Sequence, residues 1–319
     1  MHFHQKLLAV SLTAVLAACS GQNTSSDSKQ NSEMTTKSQT QVTYQSKAGE
    51  INIPEKLSRI TVLDTNALNT IQTLGASSLV VALPQGTPLP TALTGFANAE
   101  KYMDTGSAKE PNLEKIAESQ PELIIVSNRM ENHMDQIKAI APTYYAQVDY
   151  VDRLQSFKHQ TLIIAEMVGK KALAEQQLQI LEQDMQKLRE KTKDKTALVI
   201  LVNNNKLSAY GVGSRFGLIH DLYGFSPAND GIKVGTHGMS ISHEFIAQAN
   251  PDFLFVIDRG AAISEKTGGA QKILDNAIVK QTRAAQNNKI VYLDSSTWYL
   301  MNDSLGGMQS MLEEVKNVI

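Results

Sequence analysis

Short, almost purely apolar runs alternate along this chain with stretches whose apolar residues recur every three or four positions. The runs 59-RITVLD-64, 78-SLVVALP-84, 123-LIIVSN-128 and 143-TYYAQV-148 come first. After a long helical interval they resume as 196-TALVILV-202, 206-KLSAYG-211, 253-FLFVID-258 and 289-KIVYLD-294. A strand that is apolar at consecutive positions has both faces covered. Such strands alternating with helices predict parallel sheets held between helix layers. In the interval, Ile164, Val168, Leu178, Leu181, Met185 and Leu188 lie mostly three, four or seven apart, with a gap across 169–171. That spacing predicts one connecting helix over 156–193. At about 1.5 Å per residue it would reach roughly 55 Å, with Gly169 the point where it could kink or divide. The expected fold class is α/β, with an N-terminal lobe over 43–155 and a C-terminal lobe over 194–319.

One unit occurs twice. The stretches 114-EKIAESQPELIIVSNR-129 and 244-EFIAQANPDFLFVIDR-259 share a glutamate, an Ile-Ala pair, a proline, a valine and an arginine in one register. Each spans 15 positions (129 − 114 and 259 − 244). One copy falls in each lobe, which supports the division. Ligands of open α/β sheets bind beyond the carboxyl ends of the strands. Arg129 and Arg259 follow such ends, so the repeat aims one guanidinium from each lobe at a shared cleft. Glu114 and Glu244 begin the preceding helices, where the dipole favours a carboxylate. A helix runs antiparallel to its strand, so both glutamates belong on the rim of the same face.

Before the first strand, MHFHQKLLAVSLTAVLAACS has Lys6 in a short polar start and an apolar run from Leu7 to Ala18. The run is too short to span a bilayer and reads as a signal peptide over 1–19. Its end, Leu16-Ala17-Ala18-Cys19, resembles a bacterial lipobox, in which the cysteine receives lipid. Cys19 is the only cysteine, so its lipidation leaves no thiol for disulfides, metal or nucleophilic catalysis. Residues 20–42 are almost free of apolar side chains and read as a disordered tether.

The 319 residues carry a formal charge of −2, which leaves no basic footprint for nucleic acid. An anionic ligand must therefore be met by local cations. Arg215 supplies a third, in the glycine-rich run 211-GVGSRFGLIHDLYGF-225. Guanidinium suits the task because its planar fork binds oxygen anions at every working pH. His237 sits between glycines in 235-GTHG-238, a loop with little to shield an imidazole. Trp298 and Tyr299, in 296-STWYLMND-303, follow the last strand at the cleft end. A phenolate is a hard donor suited to Fe(III), and imidazole also binds iron. Trp298 equally suits core packing. His133, His159, His220 and His243 lack a motif and read as structural.

Enzymatic signatures are missing. The glycines lack the spacing G-x-G-x-x-G, and no P-loop, H-E-x-x-H pair or C-x-x-C occurs. Ser214 and Ser240 have no nucleophile elbow, so a hydrolase is unsupported.

From about Val42 to Ile319 the chain resembles the periplasmic ferric-siderophore-binding proteins that feed ABC importers. The resemblance is carried by SRFG, IKVGTHGMSI, EFI…NPDFLFVIDR, ILDNA, KIVYLD and WYL. It is strongest to the branch taking catecholate and mixed-catecholate siderophores of the enterobactin-fragment and anguibactin or acinetobactin kind. It implies two Rossmann-like lobes with central parallel sheets joined by one long α-helix, and limited closure about the ligand. No permanent cofactor is implied, because Fe(III) arrives inside its chelator. His237 and Tyr299 match positions that complete the iron shell when a tetradentate siderophore leaves two sites open. Arg129, Arg215 and Arg259 match arginines that meet the negative complex, and Trp298 is grouped with them as a ligand contact. Glu114 and Glu244 match glutamates that dock on the permease. The implied partners are the ferric siderophore, the ABC permease with its ATPase, and a membrane through the N-terminal lipid. The expected location is the periplasm, as an anchored, monomeric lipoprotein. Haem, cobalamin or bare iron would suit the same architecture.

Overall fold

The computed structural model describes residues 40–86, 88–233, 235, 237–264 and 269–319. The signal segment, Cys19 and the tether up to residue 39 lie outside the described residues.

A hairpin comes first, β1 (Gln41–Ser46) and β2 (Gly49–Pro54). The N-terminal sheet has β3 (Ile60–Val62), β4 (Val80–Leu83), β5 (Met103–Asp104), β6 (Leu123–Val126) and β7 (Thr143–Tyr145). Their order is β5-β4-β3-β6-β7, and every pairing is parallel. The C-terminal sheet has β8 (Thr196–Asn203), β9 (Lys206–Tyr210), β10 (Ser226–Pro227), β11 (Met239–Ile241), β12 (Phe253–Asp258) and β13 (Ile290–Tyr292). Its order is β11-β9-β8-β12-β13, with β10 beside the start of β8.

The continuous apolar runs are explained by burial on both faces. In β6, Leu123 and Ile125 join the large core, while Ile124 and Val126 join a second cluster with Ile116 and Met130. In β12, Phe253, Phe255 and Ile257 face the large core, and Leu254 and Val256 face a third cluster with Ile246. The period of two thus sorts one run onto two packed surfaces. The expectation of wholly parallel sheets needs correction in the C-terminal lobe. There β9 is antiparallel to β8, and β11 is antiparallel to β9. Asn204, at φ 52°, makes the tight reversal after β8 that replaces a helical crossover.

The expected single connector over 156–193 is also corrected. It is two helices, Arg153–Met167 and Lys171–Thr192. Gly169 takes φ 68° and closes the first helix with the Lys170 N–H donating to Ala165 O and the Gly169 N–H to Glu166 O. This is a Schellman end, which needs the left-handed conformation glycine adopts at little cost. The second helix folds back along the first, and Lys158 pairs with Glu182 at 2.8 Å.

One continuous core links the lobes. It runs from Ile60 and Leu68 through Phe157, Leu178, Leu181 and Met185 to Val199 and Phe255. The last helix, Leu305–Lys316, adds Leu305, Met308, Met311 and Leu312 to it. A polar knot fixes that helix to the N-terminal lobe. Asn69, on the helix Thr65–Thr73, is buried, and its Oδ1 accepts from Ser304 Oγ at 2.8 Å and from the Gly307 N–H at 3.0 Å. The Thr70 hydroxyl accepts from the Leu305 N–H at 3.1 Å. A Cβ at Gly306 would overlap the Thr73 hydroxyl, so glycine there permits the close approach.

The repeat is structural as well as sequential. Its helices are Leu113–Glu118 and His243–Ala249, and each buries the matching isoleucine, Ile116 or Ile246. Beyond each helix a left-handed residue, Gln120 (φ 46°) or Asn250 (φ 42°), precedes a proline that forbids another helical turn. Asparagine tolerates this conformation and glutamine does so poorly. Replacing Gln120 by glycine is expected to stabilise the fold by about 0.5–1 kcal/mol, and Asn250→Gly to destabilise it, because the Asn250 Oδ1 accepts from the Arg283 N–H at 2.8 Å. Urea unfolding of the two variants checks the order.

Candidate functional site

Between the lobes lies a cleft of about 1070 Å³. The N-terminal lobe lines it with residues at or beyond strand ends: Asp64 after β3, Arg129 after β6, and Tyr145 to Gln147 at the end of β7. The other wall carries Arg215, His237, Tyr299 and Asp303.

Arg129 sits in the 3-10 turn Asn128–His133, whose Met130 is buried and fixes the turn to the sheet. Its own side chain is exposed and makes no ion pair among the described residues. His237 is exposed and lines the cleft. Its loop depends on Gly238, which takes φ 73° and passes so near β9 that a Cβ would lie 2.8 Å from Ala209 O and from the Tyr210 ring. No larger residue could follow His237 on that path.

Tyr299 is the centre of the C-terminal wall. Arg259, which begins the helix after β12, donates from Nε to the Tyr299 hydroxyl at 3.0 Å and from Nη1 to Asn203 Oδ1 at 3.3 Å. Arg259 is not itself a lining residue and reaches the cleft through this phenol. Arg215 donates from Nη2 to the Tyr299 carbonyl oxygen, and its guanidinium carbon lies 4.3 Å from the Tyr299 ring centre and 4.9 Å from that of Phe216. Burial alone would push the Tyr299 phenol up. The Arg259 hydrogen bond and the charges of Arg215 and Arg259 outweigh it, so the phenol is held below its ordinary value. A phenol so placed gives up its proton to a hard metal at lower pH than a free tyrosine would.

Trp298 is a correction. It is 0% exposed, and its indole N–H donates to Glu314 Oε2 at 2.7 Å inside the core. On the helix Ser295–Leu300, adjacent side chains point about 100° apart, so turning Tyr299 to the cleft turns Trp298 away. Glu114 and Glu244 are both exposed in the first turns of their helices. The Ser242 hydroxyl and a backbone N–H hold the Glu244 carboxyl below its usual value. Of the histidines read as structural, His220 is buried with Nδ1 3.1 Å from Phe225 O.

Several cleft residues escaped the sequence reading. Lys47, at the β1–β2 turn, lies 3.3 Å from Gln147 Oε1, 5.0 Å from the Tyr145 ring centre and 3.7 Å from Glu131. The alternation of Val42 and Tyr44 with Ile51 and Ile53 around Lys-Ala-Gly was the available signal for that hairpin. Asp303 pairs with Arg153 at 2.8 Å and accepts from the Tyr150 hydroxyl at 3.2 Å. Burial, then the Asp303 charge, push Tyr150 up to about 12. Among the described residues three carboxylates line the cleft, and each has a hydrogen-bond or ion-pair partner. Asp64 caps a helix through the Ala67 N–H, Asp149 accepts from the Val151 N–H, and Asp303 holds Arg153. Arg153 offsets Asp303, and the lining cations Lys47, Arg129 and Arg215 outnumber the two remaining carboxylates, so the described wall has a cationic excess. Among the described residues no cluster of three or more His, Cys, Asp or Glu could hold a metal ion.

Replacing Arg259 by glutamine is expected to move the Tyr299 titration up toward that of an exposed tyrosine. Ultraviolet difference titration, with Tyr299→Phe as the subtracted reference, reads the shift.

A family model described as "Periplasmic binding protein" matches residues 61–297. The petrobactin-binding protein YclQ of Bacillus subtilis (strain 168) is 39% identical over 313 residues, covering 97% of this chain and 96% of the relative. Its crystal structure superposes with a TM-score of 0.84 at 37% identity, over 88% of this chain and 98% of that one. The ferric-anguibactin-binding protein FatB of Vibrio anguillarum (strain ATCC 68554 / 775) is 27% identical over 283 residues, 87% of each chain. The siderophore-binding protein BauB, solved with two molecules of acinetobactin and ferric iron, gives a TM-score of 0.78 at 27% identity, over 88% and 98% of the two chains.

Proposed function

The chain belongs to the periplasmic binding protein family, and from that premise we infer that it is the ferric-siderophore-binding component of an ABC iron-uptake system. It binds and releases its cargo and catalyses nothing. The observation that carries this reading is the Arg215–Tyr299–Arg259 cluster, a half-buried phenol between two guanidinium groups on the wall of an open cleft.

The cluster suits a ferric catecholate complex in two ways. A ferric bis-catecholate is an anion, and arginines already bonded only to neutral acceptors keep their charge available to it. A tetradentate chelator leaves two positions of an octahedral iron open. Tyr299 as phenolate and His237 as neutral imidazole are the donors we assign to them. Arg129 meets the complex from the other lobe. The names of YclQ, FatB and BauB, each a siderophore binder, support the substrate class. Glu114 and Glu244, exposed on the two lobes, are assigned to docking on the permease. Cys19 is assigned to the lipid anchor, which places the protein outside the cytoplasm.

Two experiments test the assignment. His237→Ala and Tyr299→Phe are each expected to weaken a ferric tetradentate catecholate by about tenfold or more, and a hexadentate one much less. Quenching of Trp298 fluorescence gives both affinities, and equal losses for the two chelators would overturn iron ligation. The pair Glu114→Ala with Glu244→Ala is expected to leave affinity unchanged while abolishing radio-iron uptake by cells. Weakened binding in the purified double variant would refute a docking role.

A further inference from the structure

Arg153 opens the helix Arg153–Met167 and is 3% exposed. Its Nη1 donates to Asp303 Oδ1 at 2.8 Å. Its Nη2 donates to the carbonyl oxygens of Ser214 at 3.1 Å and Arg215 at 2.6 Å. The guanidinium carbon lies 4.3 Å from the Tyr150 ring centre, and Nε has no hydrogen-bond partner. The Asn302 amide gives the Arg215 carbonyl a second donor at 3.2 Å. The Asp303 N–H in turn donates to Asn66 Oδ1 at 3.0 Å. One side chain thus ties the exit from the N-terminal lobe to the Arg215 turn and to the crossing that leads into the last helix.

This is an unfavourable place for a cation. Burial opposes it, a helix N-terminus opposes it, and one donor is left unpaired. What the guanidinium supplies is geometry, since its fork reaches a carboxylate on one side and two carbonyls on the other. Lysine cannot do this. The beneficiary is a tight glycine turn whose internal bonds, Gly213 N–H to Asp221 and Ser214 Oγ to Gly211 O, leave the Ser214 and Arg215 carbonyls to be held from outside by Arg153 and Asn302. Gly213 takes φ 68°, and a Cβ at Gly217 would collide with the Gly211 carbonyl oxygen.

We propose that Arg153 is the positioning residue for Arg215: it clamps the backbone at Arg215 so that the Arg215 guanidinium stands against Tyr299 before any ligand arrives. Its pairing with Asp303 also removes an uncompensated negative charge from the wall that meets an anionic complex. The ligand half of this inference rests on the ferric-siderophore reading, whereas the positioning half does not.

The test uses Arg153→Lys, which keeps a charge beside Asp303 but loses the fork. A second variant, Arg153→Met with Asp303→Asn, leaves no unpaired carboxylate. With its guanidinium carbon 4.3 Å from the Tyr299 ring centre and 4.9 Å from that of Phe216, Arg215 is expected to show an Nε–H proton resonance shifted by ring currents in the ligand-free protein. In both variants it is expected to move toward the ordinary arginine position. Affinity for a ferric synthetic bis-catecholate is expected to fall about tenfold, like that of Arg215→Ala, and adding Arg215→Ala to either variant is expected to cost little more. An unmoved resonance, or losses that add in full, would overturn the proposal. If the double variant fails to fold, Arg153→Lys carries both readouts. If neither the parent protein nor the variants bind the chelate but the resonance moves, positioning stands and the siderophore reading falls.

Discussion

One buried amide fastens the end of the chain to the N-terminal lobe. Asn69 accepts from Ser304 Oγ and the Gly307 N–H, which fastens the start of the last helix to the first helix of the N-terminal lobe. A buried acceptor stripped of such partners costs about 1–3 kcal/mol, so sliding these helices apart is opposed at that point. The continuous core beneath, from Leu68 through Leu181 to Phe255, opposes it again. The strand ends that carry Arg129 and Arg259 are thus borne on lobes joined by continuous packing.

On that frame the charges are distributed with economy. Arg153 is committed to Asp303 and to backbone carbonyls. Arg215 and Arg259 are bonded to a carbonyl, an amide and a phenol, none of which cancels their charge. The ion pair of Lys47 with Glu131 is exposed and 3.7 Å long, worth about 0–1 kcal/mol, and its other contacts, with Gln147 and the Tyr145 ring, are neutral. The cleft is thus poised for an anion although the chain as a whole carries a formal charge of −2. The same two guanidinium groups hold the Tyr299 phenol below its ordinary value, so its phenolate forms at lower pH than that of a free tyrosine.

The sequence by itself determined a good deal. Consecutive apolar positions required strands covered on both faces, because a strand with one wet face cannot be apolar throughout. The spaced pair Glu114–Arg129 and Glu244–Arg259 required one arginine at a strand end in each lobe, and both follow strand ends, although only Arg129 lines the cleft and Arg259 lies behind Tyr299. Loop chemistry exposed His237. What tertiary structure alone decided are the matters that depend on direction and on distant partners. Whether Tyr299 or Trp298 faces the cleft is set by a rotation of about 100° along one helix turn, which the motif Trp-Tyr-Leu does not encode. The gap in apolar spacing marked Gly169 as a point of possible division, but that the second helix folds back along the first was decided by packing, because both halves bury the same kind of face. The role of Arg153 rests on contacts with residues 61, 62 and 150 positions away, and no local pattern announces partners that only the closed fold brings together.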